Sequence, residues 1–192
     1  MKICVYCASS TKVNAAYFRA TEKLAKVFVK NDIEIVYGGG SVGLMGHLAD
    51  TILKEGGSIQ GIMPSFMKDK ELAHPDVENM IFTDTMHERK AKFLEGIDGL
   101  VALPGGSGTL EELLEAITLK RLGQFTKPIV ILNTNGFYSP LQAMLEKCVW
   151  EQFMDERHLQ MWKMVAEPEE VLFALKNAKE WTAAALSFAT KL

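Results

Sequence analysis

The stretch LPGGSGTLEEL, residues 103–113, sets three glycines within four positions just ahead of a threonine and two glutamates. A glycine-rich turn that opens a helix offers free backbone N–H groups and the positive end of the helix dipole, which together hold a phosphate. Acidic side chains in that first turn work against such an anion. At ~6 Å and an effective dielectric of ~20, a pair of like unit charges costs ~3 kcal/mol, so Glu111 and Glu112 need a reason. One reason is local: Thr109 and Glu112 have the T-x-x-E spacing of a capping box, in which the glutamate satisfies the helix's own N–H. The other is chemical, a carboxylate placed to stabilise positive charge that develops on a substrate. The residues alone leave both open. The turn lacks the G-x-x-x-x-G-K-[ST] spacing of a triphosphate loop, whereas a single monophosphate would suit it.

A second glycine turn, YGGGSVGLMG, spans residues 37–46. Gly38, Gly40 and Gly43 satisfy G-x-G-x-x-G, but the dinucleotide fingerprint belongs on the first strand-to-helix turn, with an acid ~20 residues further on to hold a ribose. Here that register falls on Gly61 to Met63, so a nicotinamide cofactor is not expected. The density of glycines, Gly39 and Gly40 included, instead suggests ligand contact beyond tight turning. In MHERKAKFL, residues 86–94, Arg89 and Lys90 fall near a helix start, where cations oppose the dipole. That placement hints at an anionic ligand. His87 is a weaker candidate, because the histidines at 47, 74, 87 and 158 show no H-E-x-x-H or paired spacing for a metal. Cys4 and Cys7 form a C-x-x-C on an expected strand, where a spacing of three sends them to opposite faces; packing is expected rather than redox chemistry.

These groups must be positioned by a scaffold, and the chain supplies one. Short β-rich runs at Ile3–Cys7, Ile33–Tyr37, Ser58–Ile62, Met80–Phe82, Leu100–Leu103 and Ile129–Leu132, with a seventh near Met164–Val165, alternate with helical stretches. Helices are expected over Ala15–Lys30, Leu44–Lys54, Glu88–Glu95, Thr109–Leu122 and Leu141–Gln152, with a terminal one from Glu169. The pattern predicts an α/β, Rossmann-like doubly wound parallel sheet of six or seven strands with helices on both faces. No linker or repeat interrupts it, so residues 1–192 are expected to form a single domain. In such sheets ligands bind outside the carboxyl ends of the strands, where each motif above falls.

Composition narrows the partners. A net charge of −3 with basic residues scattered along the chain gives no footprint for a nucleic-acid polymer. No uncharged run reaches the ~20 residues of a membrane span, and the N-terminus lacks the apolar core of a signal peptide. Three cysteines make no disulfide framework. A cytoplasmic protein acting on a small molecule is expected, with no membrane partner.

Taken together, CASS at residues 7–10, YGGGSVGLMG, MHERK and PGGSGTLEE, in this order and at these separations, resemble the Lonely Guy family of cytokinin-activating phosphoribohydrolases. The resemblance runs to about residue 165. It implies hydrolysis of the N-glycosidic bond of N6-modified adenosine 5′-monophosphates, giving the free base and ribose 5-phosphate, with no metal or other cofactor. By the same resemblance Arg89 and Glu112 are catalytic, and substrate contacts come from Glu71, Lys90, Thr118 and the turn Gly105, Gly106, Ser107, Gly108, Thr109, Leu110 and Glu111. Ser10, Gly39 and Gly40 join them from the other motifs. Ala8 stands where many members have glycine, which touches the first turn only. A homodimer with its active site near the interface is implied, and Trp150, Phe153, Met154 and Met161 are its candidate apolar contacts. The family's old label, lysine decarboxylase, would require pyridoxal phosphate and a Schiff-base lysine on a larger fold. Related Rossmann-like proteins bind molybdenum cofactor, so a non-catalytic nucleotide or cofactor carrier is the alternative expectation.

Overall fold

A computed structural model describes residues 1–68 and 73–189. Seven parallel strands form one sheet in the order β4-β3-β2-β1-β5-β6-β7. They are β1 (Lys2–Tyr6), β2 (Glu34–Tyr37), β3 (Ile59–Pro64), β4 (Met80–Thr83), β5 (Gly99–Ala102), β6 (Ile129–Leu132) and β7 (Trp162–Val165). The helices are α1 (Ala15–Lys30), α2 (Gly43–Lys54), α3 (Met86–Leu94), α4 (Ser107–Arg121), α5 (Ser139–Trp150), α6 (Val171–Lys176) and a short α7 (Leu186–Ala189).

Because the sheet is covered on both faces, its inner strands are buried on both faces, as in IVIL of β6, whereas the edge strands β4 and β7 are partly exposed. Alternation then sorts each strand into two cores. Ile3, Val5 and Cys7 pack under α1, α2 and α6, whereas Cys4 and Tyr6 pack under α3, α4 and α5. The two cysteines therefore face opposite cores, as their spacing requires, and neither is in a disulfide. Helix α1 shows how the covering works: Asn14 Oδ1 accepts from the Ala16 N–H at 2.8 Å and starts the helix. Ala20, Leu24 and Phe28, one turn apart, then bury a single stripe.

Strand β1 pairs with β2 on one side and β5 on the other. Winding proceeds outward from β1 in both directions, so the β1/β5 boundary is the topological switch point where such folds open a crevice. The loop Cys7–Ser10 leaves β1 there, and the PGGSG turn leaves β5.

Several boundaries differ from the sequence expectation by a residue or two, and three of them have an evident local reason. Helix α3 starts at Met86, ahead of Glu88, because Thr85 is its N-cap and accepts from the Glu88 N–H at 3.1 Å. Helix α4 starts at Ser107 rather than Thr109, with Gly106 as N-cap. Strand β3 runs on to Pro64 through its pairing with β4. The terminal helix after Glu169 is broken, since α6 closes at Lys176 with Asn177 as its C-cap.

Candidate active site

A cleft of about 380 Å³ opens at the switch point. Its walls come from the end of β1 (Tyr6 to Ser10), Gly38 after β2, Met45 of α2, Met67 after β3, Met86, Arg89 and Phe93 of α3, and the first turns of α4 from Gly106 to Thr109 with Glu111 and Glu112. A wider groove of about 1100 Å³ lies along β7, away from both glycine turns and from Arg89 and Glu112.

At the centre, Arg89 Nη1 donates to Glu112 Oε1 at 2.8 Å. Both side chains are nearly buried, 8% and 11% exposed. The other guanidinium nitrogens are held by main chain: Nε donates to the Ile62 carbonyl at 3.1 Å and Nη2 to the Gly38 carbonyl at 3.3 Å. Phe93 lies against the guanidinium, with Cζ 4.6 Å from the ring centroid. Arg89, whose charge opposes the dipole at a helix start, is the fourth residue of α3 and finds its acceptors on β3, on the turn after β2 and on α4.

Burial pushes the Glu112 carboxyl up to about 7, even though Arg89 favours its ionised form; Glu111 adds to the rise. A carboxyl in that range exchanges its proton near neutral pH, which suits a group whose charge state matters to a reaction.

The capping explanation of Glu112 is corrected here. Helix α4 begins two residues before Thr109, so Thr109 is its third residue and not its N-cap, and Glu112 reaches across to α3 instead of back to its own helix. Gly106, the N-cap, has no side chain to close the first turn, and a Cβ at Gly106 or Gly108 would meet nothing within 4 Å. The residues that open α4, Gly106 to Thr109, line the cleft, and no side chain caps the N–H groups of this turn, which suits an anion site. Gly105 differs from these two, since a Cβ there would fall 2.1 Å from Thr109 Oγ1, and its absence lets the turn fold onto the helix.

The other expected contacts divide. Ser10, Gly106, Ser107, Gly108, Thr109 and Glu111 line the cleft with Arg89 and Glu112. Gly105, Leu110, Lys90, Thr118, Gly39 and Gly40 are not among its lining residues. Lys90 is tied to Glu111 at 2.6 Å and Glu115 at 3.1 Å. Leu110 packs against the core beneath α4. Thr118 is exposed and donates to the Leu114 carbonyl at 2.8 Å. Gly39 and Gly40 serve packing, since a Cβ would meet Met80 Cε at 2.8 Å and Met45 Cε at 2.9 Å respectively. Glu71 lies outside the described residues. Of the candidate interface residues, Trp150 and Phe153 are exposed at 85% and 72%, whereas Met161 is buried and Met154 packs against the core.

Sequence reasoning did not single out Tyr6, Ser9, Met45, Met67, Met86 and Phe93 as cleft residues. Met45 and Met86 lie inside the quoted motifs GLMG and MHERK, and their place in those motifs was the available signal. Phe93 likewise lies inside the quoted stretch MHERKAKFL, whereas Met67 lies outside every quoted motif and carries no signal.

The family model described as "Possible lysine decarboxylase" matches residues 45–175. An Arabidopsis thaliana protein named cytokinin riboside 5′-monophosphate phosphoribohydrolase LOG2 is 42% identical over 153 residues, covering 80% of this chain and 72% of its own. The chain belongs to the Lonely Guy family. Another member, LOG4 of Arabidopsis thaliana, is 37% identical over 191 residues, covering 100% of this chain and 87% of that protein. Lonely Guy architecture extends to more distant structures. The molybdenum cofactor carrier protein of Chlamydomonas reinhardtii superposes with a TM-score of 0.70 at 19% identity over 92% of this chain and 96% of that one. The molybdenum cofactor binding protein of Rippkaea orientalis gives 0.68 at 22% identity over 91% and 94%. At these identities the shared property is the fold.

Proposed function

We propose that this Lonely Guy protein hydrolyses the N-glycosidic bond of N6-modified adenosine 5′-monophosphates, and of AMP itself, releasing the free base and ribose 5-phosphate. The observation that carries the reading is the Arg89–Glu112 pair set beside an N-terminal helix turn that no side chain closes, within one cleft. The relatives named above act on this class of nucleotide by their names. A Schiff-base decarboxylase would need a lysine, and the described residues lining this cleft include none.

In this mechanism the 5′-phosphate is held by the backbone N–H groups of Gly106 to Thr109, which fixes the ribose over the helix. The C1′–N9 bond then breaks and positive charge builds on the sugar, as in glycoside cleavage generally. The Glu112 carboxylate, one turn along α4, stabilises that charge with the same ~3 kcal/mol that would oppose a phosphate at this distance. Water adds its oxygen to C1′, one of its protons stays on the new C1′ hydroxyl of ribose 5-phosphate, and the other goes to N9 of the departing base. Arg89, whose nitrogens are held by Gly38, Ile62 and Glu112, orients the carboxylate and favours its ionised form near neutral pH.

A cytoplasmic homodimer completes the proposal. Trp150 and Phe153 offer an apolar surface at the end of α5, and Thr118, exposed on α4, would reach a substrate only in a partner's cleft. Incubating the purified protein with AMP, N6-prenylated AMP and adenosine, with detection of ribose 5-phosphate and free base, tests the activity. Release from the nucleotides and almost none from adenosine is expected; equal turnover of AMP and adenosine would refute the phosphate as the handle.

A further inference from the structure

We infer, building on the hydrolase reading, that Gly38 is a positioning residue whose carbonyl and missing side chain together hold the Arg89 guanidinium where Nη1 meets Glu112. The carbonyl accepts from Nη2 at 3.3 Å. The missing side chain matters more. A Cβ at Gly38 would stand 2.8 Å from Arg89 Nη2 and 2.7 Å from Met45 Sδ, closer than real Cβ atoms approach any neighbour. The two sides of the guanidinium are thus fixed by different parts of the fold, Phe93 against its face and Gly38 at its edge. Phe93 is itself held edge-on by Tyr6, with centroids 5.5 Å apart.

The backbone of Gly38 is not in the left-handed region, unlike that of Gly39 at φ +79°. Alanine at 38 therefore asks for space and not for a strained conformation. Both atoms it would meet are the ends of flexible side chains, so the fold yields by moving them. Movement of Nη2 carries the whole planar guanidinium with it and draws Nη1 away from Glu112. On this account the first glycine of GGG serves the catalytic pair, although the motif's spacing resembles a phosphate loop.

The charged and titratable groups acting on Glu112 are Arg89 and Lys90 of α3, Glu111 of its own helix, and Cys4, Tyr6 and Cys7 from β1 and its end. Only Arg89 is touched by the change at 38. Displacing a cation from a carboxylate raises the carboxyl's pKa, so the Glu112 midpoint moves upward from about 7.

The test titrates the Glu112 side-chain carboxyl by 13C NMR in the parent and in Gly38→Ala, beside kcat and KM for a nucleoside 5′-monophosphate. Gly38→Ala is expected to raise the midpoint by at least ~0.5 unit and to lower kcat at least ~10-fold while KM stays within ~3-fold, the pattern of a misplaced reacting group. Gly57→Ala is the comparison: its Cβ would meet Val29 Cγ2 at 2.6 Å, a packing defect far from the cleft, and it should cost stability without moving the midpoint. In an Arg89→Lys background, which has no Nη2, adding Gly38→Ala should leave the midpoint unchanged. An unshifted midpoint in Gly38→Ala, or an equal shift in the Arg89→Lys background, would overturn the inference. A parent protein that releases no base from any 5′-monophosphate would overturn the hydrolase reading instead, because the titration reads Gly38 without turnover.

Discussion

The turn after β2 and the turn after β5 have nearly the same composition, and a methyl group added to each meets different surroundings. At Gly43, with φ +65°, a Cβ would fall 2.3 Å from the Ser9 backbone, and at Gly46 it would fall 2.1 Å from the Ser41 carbonyl oxygen. At Gly106 and Gly108 it would meet nothing within 4 Å. Glycines of the first turn are therefore filled against, by the Cys7–Ser10 loop, by Ser41 and by the side chains of Met45 and Arg89, whereas the tip of the second turn is open. Composition alone cannot separate these cases, because glycine is required both where backbone approaches backbone and where backbone must approach a ligand. What separates them is the neighbour on the far side. In the first turn it is the chain itself, and in the second it is the cleft that Arg89 and Glu112 share.

The largest effect should come from closing the packed turn. Gly43→Ala combines a left-handed backbone with a main-chain clash, and at least ~3 kcal/mol of stability should be lost in a denaturant melt. A loss under ~1 kcal/mol would show that the first turn has slack and that its glycines are free for another purpose.

An intermediate effect tests the chemistry at the open turn. If ionised Glu112 is the working form, kcat at saturating nucleotide falls as pH drops below about 7, by ~10-fold per unit, because protonation removes the stabilising charge. A profile that instead rises toward acid would assign Glu112 as a proton donor and reverse its role.

The smallest effect belongs to Gly106→Ala. Stability should change by no more than ~1 kcal/mol, since the added methyl enters open space at a position where alanine is only a poorer N-cap. The same methyl enters the cleft, so KM for the nucleotide should rise by ~10-fold, about 1.4 kcal/mol of binding. Calorimetry of unfolding and steady-state kinetics read the two separately, and a loss of stability matching that of Gly43→Ala would erase the contrast between the turns.

Much of this arrangement was legible in the residues. The strands announced themselves as apolar, β-rich runs, and the switch-point cleft followed from their alternation with helices. Arg89 stood out because its charge opposes the dipole at the start of its helix, and Glu112 because its charge opposes an anion at the glycine turn beside it. The start of α4 was not legible: glycine and serine have low helix propensity, so the expected helix began at Thr109, and that two-residue error is what made a capping box of Thr109 and Glu112. The partner of Arg89 was equally hidden, because Gly38, Ile62 and Glu112 come from three separate parts of the chain and meet only through the strand order. Pattern also could not tell Thr118 on the exposed side of α4 from Thr109 on its buried side without the helix phase.

The most direct measurement of the central claim is Glu112→Gln, followed by calorimetric binding of AMP and by single-turnover release of base. Glutamine keeps an oxygen that can accept from Arg89 Nη1 and removes the charge, so AMP should bind at least as tightly as to the parent, with one repulsion of the phosphate gone. Base release should fall by at least ~10²-fold. A Glu112→Gln protein that releases base at the parent rate would show that the carboxylate does no chemistry, and the hydrolytic role of the Arg89–Glu112 pair would be contradicted.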